Sequence, residues 1–97
     1  MKLTWSPLAA SDREAIYNYI EADSPQAALL VDQRIWNSTA TLLRFPEIGR
    51  PGRIPGTREL VIQRTPYIVA YQVQPDRIRI LRVVHGAQRW PKNVEQP

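Results

Sequence analysis

Histidine is the side chain suited to proton transfer near neutral pH, and this chain has one, His85. Two readings are open for it. It can act as an acid or base just past the last strand, where functional groups often lie, or it can bond a loop carbonyl and fix the strand end. Around it the sequence offers permanent cations. Of thirteen basic residues, eleven are arginine, whose planar donors suit phosphate and carboxylate and can stack on bases. By strict alternation Arg82 shares a face with Ile78, Ile80 and Val84. An arginine on an apolar face must be paired, set at an open edge, or moved by a bulge, and an ion pair with Glu59 is the structural alternative to a functional role. Arg58 and Arg64 flank the second strand and can join the same basic surface. Arg50 and Arg53 lie on a loop and can grip phosphates or acidic side chains. The absence of cysteine excludes a disulfide framework, a thiolate metal site and a cysteine nucleophile. A single histidine cannot build a zinc site unaided, so no metal and no other cofactor is expected.

Charge divides the chain. Residues 1–43 carry three basic and five acidic residues, a net −2, whereas residues 44–89 carry nine arginines against three acids, a net +6. The second half therefore suits an anionic partner, either nucleic acid or an acidic protein segment, with a solvated basic surface as the plain alternative. Ninety-seven residues, 43% of them hydrophobic, make one domain, 1–97, small enough to lean on a partner. Residues 92–97 are expected as a flexible tail. Apolar runs are too short for a membrane span or signal peptide, which makes the cytoplasm the default location.

These candidates must be held by the elements around them. Lys2–Trp5 alternates as a short strand. Ser6-Pro7 reads as an N-cap followed by proline at the first helical position, and Asp23-Ser24-Pro25 repeats the signal. Helices are expected over 7–22 and 25–44, joined as a hairpin. Asp12, Glu14 and Glu21 fit solvent positions on the first, and Arg13 interrupts its apolar stripe. Three prolines and three glycines within 46–56 mark an irregular loop. Strand patterns then cover 58–63, 67–74 and 77–84, linked by short turns into a meander. The order is β-α-α-β-β-β, an α+β fold with the helical hairpin on one face of a mainly antiparallel four-stranded sheet. The other face is expected to be partly open and edged by arginines.

That order resembles the ParE/RelE toxin superfamily of bacterial type II toxin–antitoxin systems over roughly residues 1–91. The resemblance is carried by Ser6-Pro7, Tyr19-Ile20, Phe45-Pro46-Glu47-Ile48-Gly49-Arg50 and Arg58-Glu59-Leu60. More specific are Tyr67-Ile68-Val69-Ala70-Tyr71 and Ile80-Leu81-Arg82-Val83-Val84-His85-Gly86-Ala87-Gln88-Arg89. The Arg-Val-Val-His-Gly ending and the Phe-Pro-x-x-Gly-Arg loop are closer to the ParE-like branch. The lysine-rich strand region and downstream tyrosine common in RelE-like nucleases are missing: the lysines are Lys2 and Lys92, and no tyrosine follows Tyr71.

The resemblance implies a growth-arresting toxin neutralised by a cognate antitoxin in a hetero-oligomer that contacts DNA through the antitoxin. The ParE-like branch implies poisoning of DNA gyrase by binding. The RelE-like alternative implies ribosome-dependent, metal-independent cleavage of mRNA, with His85 as acid or base and Arg58, Arg64 and Arg82 around the phosphate. A third possibility is a non-toxic relative that retains only antitoxin binding. Binding residues under these readings are Arg50, Arg53, Arg89, Trp90 and Trp36. Trp36, Tyr17 and Tyr19 are helical aromatics that fit a core, but an exposed Trp36 would anchor an antitoxin helix.

Overall fold

The computed structural model, which describes residues 1–87, starts with strand β1 (Lys2–Trp5) and turns at Ser6 into helix α1 (Pro7–Glu21). Ser6 does two jobs at that corner. Its hydroxyl oxygen accepts from the Ala9 N–H at 3.0 Å, and the hydroxyl donates to the Leu81 carbonyl at 2.9 Å, joining the helix start to the far end of the chain. Helix α2 (Pro25–Thr41) repeats the Ser-Pro start, with Ser24 accepting from the Ala27 N–H at 3.2 Å. The helix ends three residues short of the expected Arg44. Leu42, Leu43 and Arg44 donate instead to carbonyls three residues back, as Pro46 ahead cannot continue the ladder.

The remaining strands are β2 (Arg50–Pro51), β3 (Arg58–Val61), β4 (Tyr67–Val73) and β5 (Arg77–His85). They form a five-stranded sheet in the order β1-β5-β4-β3-β2, antiparallel except for the β1–β5 pair. The expected four strands become five because β2, within the Pro/Gly loop, pairs Arg50 with Glu59 and Pro51 with Arg58. Two residues show no alternation, and proline is tolerated there because β2 is an edge. Strand β3 stops at Val61, before the expected Gln63, as the chain enters the turn to β4.

The helical hairpin covers one face of this sheet. Ala9, Ile35 and Leu42 from the helices pack with Ile62, Tyr67, Val69, Tyr71, Ile78, Ile80 and Val83. The opposite face is less open than expected, since Ile68, Ala70 and Val84 on it are also buried.

Alternation along β5 breaks once. Its register on β4 passes from Tyr71↔Ile80 to Ala70↔Arg82, so Leu81 is an extra, bulged residue. Beyond the bulge Val83 joins the core face, and Arg82 lies on the opposite face from Ile78 and Ile80. Among the described residues no helix is long and apolar enough to cross a membrane.

Candidate functional site

Arg82 lies where β5 has run past the end of β1 and helix α1 crosses its edge. There Asp12 grips it. The guanidinium donates through Nε and Nη2 to the two Asp12 carboxylate oxygens at 2.8 and 2.9 Å, and the Val83 N–H donates to the same carboxylate at 2.9 Å. Asp12 is therefore no solvent-facing residue, and Glu59 is not the partner of Arg82. Both side chains of the pair are only 16% exposed. Such a bidentate, charge-assisted contact closes the sheet edge that β1 leaves open.

Glu59, on β3, is 3% exposed and organises the Pro/Gly loop instead. It accepts from Arg50 Nη2 at 3.1 Å, and from the Arg53 backbone N–H, Nε and Nη2 at 2.9, 3.0 and 3.2 Å. Burial pushes its carboxyl up, but the bonds from Arg53 and Arg50 outweigh that and hold it below its ordinary value. With a folded-state value depressed below the unfolded one, the stability it contributes is complete above the ordinary 4.5 and is lost as pH falls through the folded-state value. Urea midpoints should therefore fall more steeply on acidification below pH 4.5 in the wild type than in Glu59→Gln. Equal slopes would show that Glu59 has no share in the acid response.

Arg58 is tied to the same loop from the other side. Its Nη1 donates to the carbonyls of Gly49 at 2.7 Å and Glu47 at 3.3 Å, with the Glu47 carboxylate 3.9 Å from Nη2. The buried Tyr71 hydroxyl accepts from the Gly49 N–H at 2.9 Å and donates to the Pro46 carbonyl at 2.8 Å. Burial raises the Tyr71 phenol above its ordinary value, so it remains a neutral donor and acceptor.

His85 closes the far end of β5, opposite Tyr67, whose ring meets it edge-on at 5.7 Å. Its Nδ1 accepts from the Ala87 N–H at 3.1 Å, so it holds a backbone amide where a loop carbonyl was expected. The Gly86 N–H donates to the Pro66 carbonyl at 2.7 Å, which ties this strand end to the β3–β4 turn carrying Arg64. His85 and Arg64 thus belong to one end of the sheet. Arg58 pairs with Tyr71, four residues along β4 from the partner of His85, or ~13 Å at strand spacing. Arg82 lies between them, engaged with Asp12.

On the helical side, Arg13 explains its interruption of the apolar stripe. It forms a bidentate pair with Asp32 at 2.6 and 2.9 Å, and its guanidinium lies 5.3 Å from the ring centres of both Trp5 and Trp36. Trp36 is 47% exposed. Leu29 and Leu43, seven residues to either side of it, are exposed as well, followed by Phe45 and Ile48 beside a hollow of about 550 Å³. The seven-residue spacing of Leu29, Trp36 and Leu43 was the available sequence signal for this stripe. Arg89 and Trp90, and the tail expected over 92–97, fall outside the described residues.

A family model described as "ParE toxin of type II toxin-antitoxin system, parDE" matches residues 3–90. The chain belongs to this family. It is 42% identical over 91 residues to "Putative toxin Y4kP" of Sinorhizobium fredii, covering 94% of each chain. It is 33% identical over 87 residues to "Toxin RelE2" of Caulobacter vibrioides, covering 90% of this chain and 97% of that one. A solved structure, "Chromosomal ParDE TA system from P. aeruginosa", superimposes with a TM-score of 0.79 at 34% identity, over 88% of this chain and 95% of the other. The likeness read from the motifs is borne out, and the α+β architecture is that of a ParDE toxin–antitoxin structure. Within this ParE-type frame, Asp12–Arg82, the Glu59 clamp and the Tyr71 anchor hold elements together. The Leu29–Trp36–Leu43 stripe remains open for contact.

Proposed function

We propose that this type II toxin arrests growth by binding and poisoning DNA gyrase in the cytoplasm, and that a cognate antitoxin neutralises it. The observation carrying this reading is the commitment of Arg82 to Asp12. A phosphodiester-cleaving site would need that cation at the reacting phosphate, and Arg58 is likewise engaged with the loop carbonyls. Binding without chemistry makes no such demand. Purified gyrase should lose supercoiling activity as the protein is added, and full activity at high excess would refute the reading.

The similarity to a relative named RelE2, together with His85 and Arg64 at one end of the sheet, supports mRNA cleavage on the ribosome as the second reading. Message that stays intact in translating extracts would remove it. Induction of soluble protein without growth arrest would instead indicate a relative that only binds antitoxin.

For the antitoxin, Trp36 and its two leucine neighbours supply an apolar anchor, and the arginine-rich half favours an acidic, amphipathic chain. DNA contact would come through that partner in the hetero-oligomer. Trp36→Ala is expected to weaken antitoxin binding by at least about tenfold in calorimetric titration, since exposed tryptophans dominate such interfaces. Unchanged affinity would place the antitoxin elsewhere.

A further inference from the structure

Most arginines of the basic half are occupied within the molecule. Arg50 and Arg53 share Glu59, Arg58 reaches Glu47, Arg77 pairs with Asp76 and Arg82 with Asp12. Arg34 and Arg64 differ: among the described residues neither forms an ion pair with a carboxylate. The fold sets them against each other. Arg34, on α2, donates from Nη1 to the Arg64 carbonyl at 3.2 Å, which fixes its guanidinium beside the β3–β4 turn. The two line a hollow of about 240 Å³ with Asn37, Ser38 and Gln63. Asn37 and Ser38 follow Arg34 at helical spacings of three and four, on its own face of α2.

Every one of these five side chains carries hydrogen-bond donors, and none is acidic. We infer that this hollow is a phosphate-binding site. Two guanidinium groups from different elements, a hydroxyl and two amides can reach a tetrahedral oxyanion from several sides, whereas a planar carboxylate would use only one fork. The backbone of Arg64 agrees. Its φ is +63°, the left-handed region where glycine or asparagine is the ordinary choice. A bulky side chain at such a φ is a backbone outlier, and outliers of this kind cluster at ligand-binding sites. None of the residues lining the hollow belongs to the Arg82–Asp12 pair or to the Leu29–Trp36–Leu43 stripe, and the site does not rest on gyrase being the target.

That backbone also provides a clean variant. Arg64→Gly removes the cation while supplying the residue best suited to the turn, so the variant should melt at or above the wild-type temperature. The full chain, labelled with ¹⁵N, is titrated with inorganic phosphate at constant ionic strength. Saturable shifts are expected at the Arg34 side chain and at the Ser38, Gln63 and Arg64 amides, weakened at least about tenfold in Arg64→Gly and in Arg34→Gln. A second titration uses octathymidylate. Binding at the same residues that is tighter than inorganic phosphate, and lost in Arg64→Gly, identifies the source as a nucleic-acid backbone. Affinity no better than that of inorganic phosphate identifies a free phosphate or phosphomonoester. Absence of saturable shifts at these residues, or an Arg64→Gly variant that binds like the wild type, overturns the site. Because binding is read directly on the toxin, the result does not depend on gyrase inhibition.

Discussion

Replacing Asp12 with alanine is expected to lower the unfolding free energy by about 3 kcal/mol, because one change strands two groups. It leaves the mostly buried guanidinium of Arg82 without its bidentate partner, and it removes the acceptor of the Val83 N–H. Breaking one side of such a pair costs more than replacing both sides with apolar groups of similar shape. The double change Asp12→Leu with Arg82→Met should therefore recover most of the loss, and urea denaturation of the three variants measures it. For a domain of this size the single variant should melt on the order of 15 °C lower. A single variant as stable as the wild type would mean that α1 is held to β5 by apolar packing alone.

The second large effect is expected at Gly49. An alanine there would put its Cβ 2.6 Å from the Tyr71 hydroxyl and 2.8 Å from the Glu59 carbonyl oxygen. The tyrosine is buried in the core and the carbonyl belongs to β3, so neither can withdraw cheaply. Relief must come from the loop, which breaks the Gly49 contacts to Tyr71 and Arg58 together. A loss of about 3 kcal/mol is expected from overpacking of this kind. Faster proteolytic cleavage within residues 46–56 should accompany it. Thermal melting and a timed protease digest give the two readouts, and a loop no more cleavable than in the wild type would contradict the clamp.

Local chemistry made much of the fold readable. Ser6-Pro7 and Ser24-Pro25 start helices because capping and proline geometry act within four residues, and the β3–β4 and β4–β5 hairpins follow from short turns between alternating runs. What stayed hidden depends on partners far along the chain. Strand β2 exists because Arg50 and Pro51 meet β3, and two residues have no period to detect. The bulge at Leu81 has no signature of its own, yet it decides the face of Arg82. Arg82 was recognisable as a problem needing a pair, an edge or a bulge, and it has all three. Its partner, 70 residues away, could not be read from spacing. Nor could the internal pairing of most arginines, which a count of charges reads as available surface. The candidate site was legible as residue types, while the separation of Arg58 from His85 and the juxtaposition of Arg34 with Arg64 come from topology.

The parallel pairing of β1 with β5 sets a condition on when this protein can exist as a folded object. Lys2–Trp5 find their partners only in Arg77–Ile80, and Ser6 and Asp12 close onto Leu81, Arg82 and Val83. A growing chain therefore cannot complete its sheet until β5 has left the ribosome, and the helical hairpin must wait with part of its apolar face uncovered. Prematurely terminated products lacking β5 would have no closed edge and no complete core. Such fragments should be cleared by proteases.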